Sequence, residues 1–180
     1  MKLLYANDAK GAHANSLYAA TAQAPGPYPK LTDDIRADVV IIGAGYTGLS
    51  AALCLAEAGM DVVLLDAQRV GFGASGRNGG QVGSGQRVDQ LTLEVTQGKA
   101  RARALWDIAE AAKEDVTHRI DAHGIDCGYK PGVGFGARSA KGARDAADMV
   151  AYLAHHYGYT QAKALDAAAM GTLVGSEVFQ

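Results

Sequence analysis

A chain of 180 residues has room for one domain, or for one and part of a second. With 48% hydrophobic and 20% charged residues it has the balance of an ordinary globular protein, and its net charge of -2 offers neither a basic face for nucleic acid nor an acidic tail. No run approaches the ~18 apolar residues of a membrane span, and Leu3-Leu4-Tyr5 is too short for a signal-peptide core, so the cytoplasm is the expected compartment. Cys54 and Cys127 make no C-x-x-C pair and no zinc spacing, so no metal site is expected. Cys54 falls inside a helical pattern and reads as a small core residue.

Residues 1–36 read as an extended or irregular arm, because Ala24-Pro25-Gly26-Pro27-Tyr28-Pro29 suits neither a helix nor a central strand. Two readings stay open: a mobile leader, or an arm packed on the body through Tyr18, Tyr28 and Leu31.

Residues 37–81 organise the chain. The β-branched run Ala37-Asp38-Val39-Val40-Ile41-Ile42 predicts a buried parallel strand. Gly43-Ala44-Gly45-Tyr46-Thr47-Gly48 follows, and Leu49, Ala52, Leu53 and Ala56 then recur at helical spacing up to a stop at Gly59. Asp61-Val62-Val63-Leu64-Leu65 predicts a second strand with Asp66 at its tip. A strand, a G-x-G-x-x-G turn, a helix and a strand ending in an acid form the unit that binds a dinucleotide. Gly43 permits the tight turn, Gly45 admits a pyrophosphate to the backbone, and Gly48 lets the helix approach the sheet. The helix N-terminus favours phosphate, and Asp66 is placed to accept from ribose hydroxyls while repelling a 2′-phosphate.

A glycine-rich loop spans Val70 to Gly85 and carries Ser75, Arg77, Asn78, Gly80 and Gln81. Its chemistry fits two roles equally: a flexible linker, or a ligand loop in which Arg77 neutralises phosphate and amides donate to a heterocycle. Beyond it the periodicity predicts a short helix over 88–95 and a long one over 99–123, with Leu105, Ile108, Ala109, Ala112, Val116 and Ile120 as its stripe and Trp106 packing beside it. Ile125–Lys130 and Val133–Ala137 read as two strands of a hairpin about Pro131-Gly132. Ser139 caps a further helix that stops at Gly158, and Asp166 caps a last short one. His155 and His156 are adjacent on a helix and diverge, which makes them a poor chelate.

These residues resemble a family. Gly43, Gly45, Gly48, Ala52, Leu55, Ala56 and Gly59 fit the extended fingerprint of FAD-binding oxidoreductases, and Gly73-Ala74-Ser75-Gly76-Arg77-Asn78-Gly79-Gly80-Gln81 is similar to the second flavin loop of the D-amino-acid oxidase/glycine oxidase superfamily. Ser16-Leu17-Tyr18-Ala19-Ala20-Thr21 with Pro27-Tyr28-Pro29 is similar to the leader of gamma-glutamylputrescine oxidoreductases. The resemblance implies an α/β fold: an arm (1–36), a Rossmann-like FAD-binding βαβ unit with its flavin loop (37–87), and the start of an α+β substrate domain (88–180). It implies that amides from Ala44 to Thr47, the stretch that includes Gly45 and Tyr46, hold the FAD pyrophosphate. Asp66 would hold the ribose, and Ser75, Arg77, Asn78, Gly80 and Gln81 would line the phosphates and flavin. The implied reaction is oxidation of a small-molecule amine by hydride transfer to flavin, and no catalytic base is visible. Members of the family continue past this point, so the chain reads as an N-terminal fragment that needs a missing C-terminal half. The competing readings are an NAD-dependent dehydrogenase, which the Gly71–Gly85 loop argues against, and a non-catalytic truncated FAD-binding chain.

Overall fold

The computed structural model describes residues 9–23 and 26–179. The Leu3–Tyr5 run and the Ala24-Pro25 pair lie outside them. The described residues form two compact units, one drawn from the stretches 1–81 and 124–129 and the other from 82–123 and 130–180.

The first unit holds a short helix α1 (Leu17–Thr21), strand β1 (Val39–Ile42), helix α2 (Tyr46–Glu57) and strand β2 (Val62–Leu65). The arm is therefore not wholly irregular: Ser16 accepts the Ala19 N–H and starts one helical turn. Tyr28 and Leu31, through which one of the two readings has the arm pack on the body, are exposed, as is Tyr18. β1 and β2 pair in parallel, with Val39 opposite Val62 and Ile42 opposite Leu65. The crossover through α2 joins them, as the βαβ pattern requires. Gly59 follows the end of α2, and the Met60 N–H bonds back to the Leu55 carbonyl.

One close approach sets the angle between β1 and α2. A Cβ on Gly48 would lie 1.8 Å from the Gly43 carbonyl oxygen, closer than any real contact. Gly43 has φ +105°, a conformation side chains oppose, and its N–H donates to the Leu65 carbonyl at 2.7 Å. The two glycines thus make a single turn that brings helix and sheet together.

The sheet is less enclosed than the strand pattern predicts. Val40 is 54% exposed and Ile42 79%, because both point to the sheet face away from α2. Cys54, expected in the core, is exposed on α2. Both departures have one cause: a two-stranded sheet with one crossover helix covers only part of its apolar surface.

The second unit is helical: α3 (Gln90–Gln97), α4 (Lys99–Ala122), α5 (Ala140–Tyr157) and α6 (Ala167–Val174). Asp89, Ser139 and Asp166 cap α3, α5 and α6 with their side chains. Asp89 moves the start of α3 past Val88. The predicted hairpin is absent: no described residue from 125 to 137 belongs to a strand, and Val133 and Phe135 are exposed. Gly128, Gly132 and Gly134 interrupt the run, and an isolated two-stranded ribbon is marginal without a face to pack on. No helix among the described residues is long and apolar enough to cross a membrane.

Trp106, 5% exposed, is the centre of this unit. Tyr157 and Tyr159 pack on it with ring centroids 5.2 and 5.3 Å away. The buried face of α4 therefore runs through Ala102 and Trp106, while Ile108 and Val116 of the predicted stripe are exposed. The buried Gln90 donates to the Ala102 carbonyl at 2.9 Å and to the Tyr157 hydroxyl at 2.8 Å. Glu94 accepts from Tyr157 at 2.6 Å and Tyr152 at 2.7 Å, joining α3 to α5. These two hydrogen bonds, that of Tyr157 first, hold the Glu94 carboxyl below its ordinary value, and the bond to Glu94 pushes Tyr152 up to about 12.

Gly48→Ala should lower stability of the first unit by ~2–4 kcal/mol in chemical denaturation, since the obstacle is backbone and cannot rotate away. Glu94→Gln should lower Tm by about 4 °C at neutral pH. The Glu94 contribution is complete above its unfolded value of 4.5 and is lost as pH falls through the depressed folded value, so the gap between wild type and variant should close in acid.

Candidate functional site

The sequence-predicted site residues gather at the end of the sheet where β1 turns into α2. Gly45 is the N-cap of α2 and supplies no side-chain cap, and the first turn contains no acid. The amides at this helix end are therefore open to groups from elsewhere in the chain, to water or to a ligand. Two are satisfied within the chain. The Ala44 N–H donates to Asp66 Oδ2 at 2.8 Å, and the Tyr46 N–H donates to Ser75 Oγ at 3.0 Å. The Gly45 and Thr47 N–H groups meet no acceptor among the described residues.

Asp66 lies at the tip of β2, against the same turn. Its Oδ1 accepts the Gln68 N–H at 2.7 Å, so both carboxylate oxygens are held and each keeps a lone pair for a further donor. The expectation that every amide from Ala44 to Thr47 faces a diphosphate is thereby narrowed. Ala44 is committed to Asp66, because the carboxylate reaches it first.

The second glycine loop repeats the device of the first. A Cβ on Gly76 would lie 2.2 Å from the Gly71 carbonyl oxygen, just as Gly48 meets Gly43, and the spacing is five residues in both. The Gly71 N–H donates to the Ala44 carbonyl at 2.8 Å, tying the two turns back to back. Between them, Ala74–Gly76 forms one tight 3-10 turn that presents Ser75 to the start of α2. A Cβ on Gly45 would sit 3.0 Å from Ser75 Oγ, so a side chain there would press on the hydroxyl that meets the start of α2.

Asn78 fastens the loop. Its Nδ2 faces the Ala74 and Ser75 carbonyls and the Tyr46 hydroxyl at 3.0–3.1 Å, and its Oδ1 accepts the Gly80 N–H at 2.8 Å. Arg77 Nε donates to the Phe72 carbonyl at 3.0 Å, and its guanidinium lies 5.2 Å from the centre of the Phe72 ring. Gln81 is exposed at the end of the loop. The structure thus joins Gly43, Ala44, Gly45, Tyr46, Gly48, Asp66, Ser75, Asn78 and Gly80 in one assembly; Arg77 braces the loop from within, and Gln81 stands outside it. Sequence reading missed the Tyr46 hydroxyl and the role of Gly71. The repeated five-residue glycine spacing was the signal for the second.

This donor set fits a dinucleotide. The free Gly45 and Thr47 amides at an uncapped helix end suit an anion, the glycines leave the space a Cβ would fill, and Asp66 suits a sugar hydroxyl. Among the described residues no cluster of His, Cys, Asp and Glu could hold a metal ion.

Comparison with known proteins bears on the same residues. Residues 38–178 match the DAO family, described as FAD dependent oxidoreductase. The chain is 42% identical over 165 residues to gamma-glutamylputrescine oxidoreductase of Escherichia coli (strain K12), an alignment covering 92% of this chain and 38% of the relative. It is 43% identical over 151 residues to the probable oxidoreductase OrdL of Rhizobium meliloti (strain 1021), covering 84% and 35%. It is 34% identical over 169 residues to the protein of the same name from Haemophilus influenzae, covering 93% and 39%. The chain thus spans well under half the length of these relatives. No solved structure matches it significantly. With the family match running through both glycine turns and on to residue 178, the chain belongs to the DAO family of FAD-dependent oxidoreductases, and FAD is that family's cofactor.

Proposed function

We propose that this chain is the FAD-holding portion of an amine oxidoreductase whose substrate resembles gamma-glutamylputrescine. The observation that carries the reading is the pair of interlocked glycine turns with Asp66 tied to the first of them. The relative named for gamma-glutamylputrescine supports the substrate class. In this reading Gly45 and Thr47 donate to the diphosphate, Asp66 accepts from the ribose, and Ser75, Arg77, Asn78, Gly80 and Gln81 border the phosphates and ring. Bound FAD supplies the hydride acceptor for oxidation of a C–H beside nitrogen. The chain's own residues bind and orient the cofactor; none is assigned as a base. The helices from residue 88 onward begin a substrate domain.

The same reading requires further sheet beside β1. Val40 and Ile42, on the sheet face away from α2, are exposed, and parallel strands are ordinarily covered on both faces, so the reading requires cover for that face as well. The 180-residue chain alone is therefore expected to bind FAD more weakly than a chain of the relatives' full length, and not to turn over substrate.

Purified chain reconstituted with FAD should show visible flavin absorption and quenched flavin fluorescence. A colourless product that instead retains NAD would overturn the proposal. Asp66→Ala should weaken FAD binding by about tenfold, the loss of a hydrogen bond to a charged group. Unchanged affinity would remove Asp66 from the site.

A further inference from the structure

The amino-terminal arm reaches the second glycine loop. It is held at three points: the Gly11 N–H donates to Gln68 Oε1 at 2.7 Å while Arg69 Nε donates to the Gly11 carbonyl, and the Tyr18 hydroxyl donates to the Gly79 carbonyl at 3.2 Å. Farther along, Gln23 Nε2 donates to Asp126 Oδ2 at 3.2 Å. The middle contact falls on a special peptide. Gly79 and Gly80 share one peptide plane, whose carbonyl is held by Tyr18 and whose N–H is held by Asn78 Oδ1 at 2.8 Å. Gly80 has φ +66°. A plane between two glycines turns over at little cost, because no Cβ resists either orientation. Its direction is therefore set by what grips it, and one of the two grips comes from a residue 61 positions earlier in the chain.

We propose that Tyr18 is a positioning residue for the second glycine loop: its hydroxyl fixes the Gly79–Gly80 peptide and thereby the face that the loop offers to the cofactor. The inference rests on the FAD reading for its second half only. The orientation of the peptide is a property of the chain itself. Tyr18 touches the loop through its hydroxyl alone among its hydrogen-bonding groups, so Tyr18→Phe keeps the ring and removes the grip.

The test uses the whole 180-residue chain, labelled for NMR, with FAD alone as the titrant. In Tyr18→Phe, hydrogen exchange at the Gly80 amide should quicken by about threefold to tenfold, the worth of one hydrogen bond, while amides of α3 and α4 keep their rates. FAD affinity, read by quenching of flavin fluorescence, should fall by a similar factor. Asn78→Ala should free the same peptide from its other side, and the double variant should exchange little faster than Asn78→Ala, since both grips act on one unit. Gly80 exchange that is unchanged in Tyr18→Phe, or effects of the two substitutions that simply add, would overturn the clamp. Faster exchange with unaltered FAD affinity would overturn its link to the cofactor. If the wild-type chain fails to quench flavin at all, the FAD reading fails, and the exchange rates still decide the clamp.

Discussion

The architecture of the first unit depends on how near two stretches of backbone can come. At Gly48 and again at Gly76, an α-hydrogen faces a carbonyl oxygen that any larger group would strike. Each contact folds a strand or loop sharply onto the next segment of chain, and the hydrogen bond between the Gly71 N–H and the Ala44 carbonyl fastens the two folds together. The residues proposed to hold the cofactor, Gln81 apart, are built around that double turn. The amides of Gly45 and Thr47 are exposed by the first fold, and Ser75 is delivered by the second.

Electrostatics then divides the labour among groups of similar chemistry. The helix end attracts negative charge, and two oxygen-bearing side chains have already answered part of that attraction. Asp66 takes the Ala44 amide and Ser75 takes that of Tyr46. A diphosphate would meet a turn that is partly neutralised and held in shape. Such preorganisation lowers the ordering cost of binding. Polar side chains elsewhere do comparable work without any ligand: Gln90 and Glu94 gather Tyr152 and Tyr157 around α3 and hold the helical unit together.

Much of this was legible in the residues. The βαβ unit followed from β-branched runs flanking a 3.6-residue period, and the caps at Ser139 and Asp166 followed from side chains able to accept an amide. Trp106 was read as packing and is packed. The misses share a physical cause. Cys54, Val40 and Ile42 have core-like patterns, yet burial depends on neighbours that periodicity does not count. The 125–137 segment has strand-forming residues without a face to rest on, so its local preference goes unexpressed. At the first turn, Asp66 and Ser75 were singled out from the sequence as ligand residues, but their grip on the Ala44 and Tyr46 amides was not foreseen. Which donor a carboxylate reaches first is a matter of ångströms that spacing does not encode.

The bare flank of β1 has a consequence for handling the protein. A strand with apolar side chains outward and a row of backbone donors and acceptors along its rim is a template for another strand. In concentrated solution that rim is open to pairing with an extended segment of another copy. Val40 and Ile42 stand on the face beside that rim, so whatever pairs there meets apolar surface as well as unpaired backbone.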